Sequence, residues 1–148
     1  MLLRRETVLA ATPEEVWRVV GDPEQLGRWW PGVTRVEEAT PEAWTTVLGS
    51  RRGKAVRADF TRLEFTEGER LVWRQEVAGS PFERILASSR TTISLSPAEP
   101  RGTQVAIELD NKPRGWARFA PLQFRAAGSR QLRGALDGLD ALFGGPEP

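Results

Sequence analysis

None of the 148 residues is histidine, cysteine or tyrosine. The commonest general base, the thiol nucleophile and the usual zinc ligands are therefore missing, which excludes Ser-His-Asp triads, disulfides and ordinary zinc sites. Chemistry is left to carboxylates, arginines, Lys54, Lys112 and hydroxyls. No glycine-rich phosphate loop occurs, and no nucleophile stands beside a base. Two groupings have types and spacing that could act together. Arg57 and Asp59 alternate along one stretch. Facing inward, an arginine there or at Arg62 would polarise a carbonyl or enolate and Asp59 would serve as base. The other grouping is aromatic, with six tryptophans and six phenylalanines. Such rings suit a flat, largely apolar ligand, because offset stacking adds to the area they bury.

Strand phase decides between the two groupings. With Trp73 inward, a two-residue turn at Glu67-Gly68 puts Arg62 opposite it, Phe60 opposite Gln75 and Ala58 opposite Val77. The other phase turns Arg57, Asp59 and Thr61 inward, where unpaired charge would be very costly. Apolar Val56, Ala58 and Phe60 favour the first phase and leave Arg57 and Asp59 to solvent. Glu108 and Asp110 fall on the outward face of the last strand. Arg51-Arg52-Gly53-Lys54 reads as a solvated hairpin tip, too narrow a basic cluster for nucleic acid.

The elements that must position these residues are announced by local grammar. Two helix starts stand back to back: Thr12 as N-cap, Pro13 at the first position and Glu15 closing a capping box, then Asp22, Pro23 and Gln25 repeating the pattern after Gly21. Pro31 bars Trp30 from helical geometry and leaves Trp29 and Trp30 as an exposed pair at a kink. A strand over residues 3–10 precedes the helices. After Gly32 the apolar period becomes two, giving strands at 33–38, 43–48, 54–65, 70–77, 82–95 and 103–110. One long helix over 115–143 ends the chain, with Pro121 kinking it or marking its true start. Gly128, Gly134 and Gly138 each cost this helix about 1 kcal/mol relative to alanine, so tertiary contact must hold it.

A strand, two short helices, six antiparallel strands and a long helix imply an α+β fold. A seven-stranded sheet curls around the C-terminal helix, and the space between them is the default ligand site. Here the chain resembles the START/Bet v 1-like superfamily with the helix-grip fold, in its polyketide cyclase/dehydrase-like branch. The matching residues are Pro13-Glu14-Glu15-Val16-Trp17, Asp22-Pro23, Trp29-Trp30-Pro31-Gly32-Val33 and Gly102-Thr103-Gln104-Val105. The order of elements matches from end to end, as one domain over 1–148. The resemblance implies a hydrophobic-ligand site, since such proteins include lipid carriers, hormone receptors, quinone-binding proteins and polyketide cyclases. Cyclases of this kind often use a pocket tyrosine or histidine, and this chain has neither.

The first expectation is a binding or carrier protein for a hydrophobic small molecule of aromatic or isoprenoid-like character. Trp29 and Trp30 would gate the cavity, with Trp44, Phe60, Arg62, Trp73, Trp116, Phe119 and Phe124 around it. A cyclase/dehydratase-type enzyme is the second reading, and a protein-interaction module with a filled core the third. No cofactor or metal is expected. A net charge of +1 implies neither a nucleic-acid partner nor an anionic membrane. No oligomeric state is implied. Lacking a signal-peptide pattern or an apolar run of about eighteen residues, the chain is expected to be cytoplasmic, with no integral membrane segment.

Overall fold

A computed structural model describes residues 1–49 and 53–144. The hairpin tip at Arg51 and Arg52 and the expected stop at Gly145-Pro146 lie outside the described residues. The chain runs β1 (Leu2–Leu9), α1 (Pro13–Val20), β2 (Val33–Glu37), β3 (Ala43–Leu48), β4 (Val56–Thr66), β5 (Arg70–Glu76), β6 (Leu86–Ala98), β7 (Gly102–Pro113) and α2 (Pro121–Phe143). Short 3-10 turns occupy Pro23–Arg28, Pro81–Arg84 and Gly115–Phe119.

The helix starts form as their capping residues dictate. The Thr12 hydroxyl accepts the Glu15 N–H at 3.3 Å, and Pro13 opens α1. At the second start Asp22 accepts the Glu24 N–H at 3.0 Å. Gln25 turns to Arg28 instead, 2.8 Å away, and the six-residue segment winds as a 3-10 turn that stops at Arg28. Trp29 and Trp30 do not stand exposed: Trp29 is buried and Trp30 half-buried. The chain reverses through Gly32, whose φ of 81° suits a residue without a side chain.

All seven strands form one antiparallel sheet in the order β1-β7-β6-β5-β4-β3-β2. The sheet curves, and α2 lies on its concave side against β1 and β7. This is the helix-grip arrangement. Leu3, Thr7 and Leu9 on β1 share the inner face with Leu109, Val105 and Thr103 on β7, their partners in register. Leu132, Ala135, Leu136 and Leu139 of α2 are buried in the same core cluster as Ile93, Val105, Ile107 and Leu109.

The long C-terminal helix begins later than residue 115. Gly115–Phe119 is a separate 3-10 turn, Ala120 leaves helical geometry (φ −128°, ψ 59°), and Pro121 takes the first turn of α2. Strand β6 likewise begins later than residue 82, because Ser80 caps a 3-10 turn over Pro81–Arg84 by accepting the Phe82 N–H at 3.2 Å. The glycines of α2 mark close approach. A Cβ on Gly138 would collide with the Trp29 carbonyl, and one on Gly134 would lie 3.1 Å from Pro31. The tertiary contact that this weak helix requires is therefore made by the Trp29–Pro31 turn at Gly134 and Gly138 and by Leu3 of β1 at Gly128.

Candidate ligand cavity

Between the first half of α2 and strands β3 to β7 lies a cavity of about 280 Å³. The strand phase that builds it is the one with Trp73 inward. Trp44 pairs with Phe60, Phe60 with Gln75, and Arg62 with Trp73, as a two-residue turn would require. The turn is nevertheless longer: Thr66 pairs with Arg70, so three residues make the loop. A bulge between Arg62 and Glu64 absorbs the extra residue and restores the register beneath it. Ala58 is buried on the inner face, while Val77 lies just past the end of β5.

Trp30, Trp44, Phe60, Trp73 and Phe124 line the cavity. Four of these rings form a connected cluster. Trp44 stacks on Phe60 at 6.0 Å, and Trp73 meets Trp44 edge-on at 5.6 Å, Trp30 at 5.5 Å and Phe60 at 6.5 Å. Each such contact contributes about 0.5–1.5 kcal/mol beyond area burial, which makes this wall stiff. Trp29 lies behind it, edge-on to Trp30 at 5.3 Å, and is not part of the lining.

The remaining expected site residues lie elsewhere. Arg62 is opposite Trp73 in register, yet its guanidinium sits 3.9 Å above the Phe65 ring. The bulge puts residues 62 and 65 on one face, and Phe65 in turn packs on Trp17 of α1 at 5.2 Å. Trp116 and Phe119 are exposed on the 3-10 turn before α2 and stand outside the cavity. The break at Ala120 removes them from the α-helical face that carries Phe124.

Thr46, Gln75, Ser89, Asn111 and Gln131 supply the polar lining; the sequence placed Gln75 inward opposite Phe60 and left the other four out. Asn111 continues the inward row Val105-Ile107-Leu109 by one more step of two, but the expected strand ended at 110. Ser89 donates to Asn111 Oδ1 at 2.6 Å, and Thr46 donates to the Ala58 carbonyl at 3.3 Å. Two buried donors of the lining have no protein acceptor, the Trp44 indole N–H and the Gln75 Nε2. Trp44 is 4% exposed, so its N–H is shielded from bulk water. A buried unpaired donor is costly and invites an acceptor from a bound molecule.

Among the described residues no Asp, Glu, Lys or Arg lines the cavity. The Arg57/Asp59 pair is on the outer face, where Arg57 forms an ion pair with Glu37 and Asp59 accepts the Thr45 hydroxyl at 2.5 Å. Hydrogen bonds from Arg35 and then Arg57 hold the Glu37 carboxyl below its ordinary range. The Thr61 hydroxyl, helped by Arg74, does the same for Glu76. These shifts belong to the solvated side of the sheet. Glu108 is also outward, 3.5 Å from Arg4.

No curated protein sequence matches the chain. Among solved structures, a START superfamily protein from Mycobacterium smegmatis is similar at 15% identity and TM-score 0.73, covering 96% of each chain. A protein from Thermobifida fusca is similar at 24% identity and TM-score 0.69, over 93% of this chain and 89% of that one. The di-domain ARO/CYC StfQ of the steffimycin biosynthetic pathway is similar at 15% identity and TM-score 0.74, over 95% of this chain and 49% of that one. At such identities these likenesses describe the fold. The family model for polyketide cyclase/dehydrase and lipid transport matches residues 2–144, and the chain belongs to that family.

Proposed function

We propose that the protein binds an uncharged, largely apolar small molecule, flat or isoprenoid-like and bearing a hydrogen-bond acceptor, in the cavity between sheet and α2. The observation that carries this reading is the lining itself: a stiff aromatic wall, two unpaired buried donors and no ionisable side chain. A charged ligand would enter without a counter-charge and lose its hydration. An acceptor oxygen would instead satisfy the Trp44 N–H or the Gln75 amide. A volume of about 280 Å³ lies at the small end of ligand sites, which favours a ligand of one or two rings.

Binding is favoured over turnover by the same lining. Cyclisation or dehydration needs proton transfer, and hydroxyls, amides and indoles are poor acids and bases at neutral pH. StfQ is a di-domain ARO/CYC of a biosynthetic pathway, and its likeness to this chain is one of fold.

The test pairs α-tetralone with tetralin, which share a bicyclic skeleton and differ in the ketone oxygen. Calorimetric titration should show both binding, the ketone about tenfold more tightly, as one hydrogen bond to a buried donor is worth roughly 1–1.5 kcal/mol. Equal affinities would remove the acceptor from the reading. Failure of both to bind, with no mass co-purifying in native mass spectrometry, would overturn the ligand site as a whole.

A further inference from the structure

Among the described residues the three most exposed large apolar side chains fall together: Trp116, Phe119 and Leu122 are 67, 84 and 79% exposed. The backbone presents them. Gly115 adopts a φ of 62° and packs so close to the Arg84 carbonyl that a Cβ would come within 2.7 Å. The chain then winds through a 3-10 turn whose buried residue is Ala117. At three residues per turn Trp116 and Phe119 stand on one side, and Leu122 follows in the first turn of α2.

The charges around this patch have one sign along the chain. From Lys112 to Leu136 there are six basic residues and no acidic one, so the rest of a chain of net charge +1 is acidic overall. Arg118 lies between the two aromatic residues and Arg125 one turn beyond Leu122, both exposed. Arg114 is engaged by Glu83 at 3.5 Å. Net charge alone implies no anionic partner; the arrangement of the charges does.

We propose that this patch docks on the headgroup surface of an anionic lipid bilayer. Trp116, Phe119 and Leu122 sink into the interface, and Arg118 and Arg125 meet lipid phosphates. Aromatic and aliphatic tips interleaved with arginine fit the boundary between acyl chains and headgroups. Phe124, two residues beyond Leu122 and on the opposite side of α2, lines the cavity, so docking would bring the helix that walls the ligand site to the surface of the lipid. Bilayer docking goes beyond the ligand reading and is tested without a ligand.

The experiment is co-sedimentation with vesicles of phosphatidylcholine alone and with about one third phosphatidylglycerol. The bound fraction should be roughly fivefold or more higher on the anionic vesicles, fall at high salt, and carry a blue shift of tryptophan emission. Trp116→Ser with Phe119→Ser should abolish binding, and Arg118→Gln with Arg125→Gln should erase the anionic preference. All four side chains are exposed, so unfolding midpoints should stay within about 2 °C of the parent and separate lost docking from lost fold. Absence of vesicle binding, or its full retention in the aromatic double variant, would overturn the proposal. So would a concentration-dependent dimer that disappears in that variant, which would assign the patch to a second copy of the chain.

Discussion

Asp140 lies near the end of α2, where its carboxylate accepts the Thr7 hydroxyl of β1 at 3.3 Å. Burial pushes its pKa up, Thr7 opposes the shift, and Asp137 one turn earlier adds repulsion. A carboxyl whose folded pKa is raised holds its proton more tightly in the native state. Stability is therefore lost as pH rises from the unfolded value of 3.8 through the folded one. Asp140→Asn keeps an acceptor for Thr7 and removes the charge. It should raise the unfolding midpoint at pH 7 by about 1–2 °C, a small gain because solvent screens this partly buried group. The gain should vanish in acid, below the unfolded value of 3.8. A midpoint that drops at pH 7 would mean the charged Thr7–Asp140 contact is itself stabilising.

At the scale of elements, α2 shows how packing reverses a propensity. Glycine to alanine in a helix interior ordinarily gains about 1 kcal/mol. Gly138, however, is where α2 crosses the Trp29 carbonyl, and a Cβ there has no room. Gly138→Ala should destabilise by about 2–3 kcal/mol, lowering the midpoint by roughly 5–10 °C in calorimetry. An unchanged or raised midpoint would place α2 farther from Trp29. The glycines, the Pro121 start and the apolar positions were legible in sequence; the partner that requires the glycines was not. The hairpin of β4 and β5 carries a similar lesson. Its inner register was legible because the bulge between Arg62 and Glu64 compensates the longer loop. The same bulge turned Arg62 toward Phe65 and out of the cavity, which no alternation pattern foretells.

Across the whole molecule, cohesion is uneven. β6 and β7 pair over twelve registered positions and carry the fully buried Ile93, Val105 and Ile107. The 3-10 turn before α2 buries only Ala117. Hydrogen exchange should therefore be slowest in β6, β7 and residues 132–139, and fast in residues 114–122. Strong protection of 114–122 in the isolated protein would show that something already covers the exposed aromatic patch. The segment lies next to the cavity wall at Phe124, so a weakly buried part of the structure adjoins the candidate ligand site.

The sequence by itself determined the features carried by near neighbours in the chain: capped helix starts, period-two strands, the order of elements and the helix-grip fold those elements can build. It also narrowed the chemistry, because residues that are absent cannot act. Tertiary structure alone decided which aromatics share the cavity, since Trp30 and Trp73 meet only after the four strands β2 to β5 have been placed in register. It decided that Trp116 and Phe119 face solvent, through the break at Ala120, and that Asn111 and Ser89 close the polar end of the lining. The physical reason is one of range. Caps and periodicities depend on spacings of two to four residues, whereas a cavity is the sum of many registers, and a one-residue bulge or a single broken turn exchanges its inside for its outside.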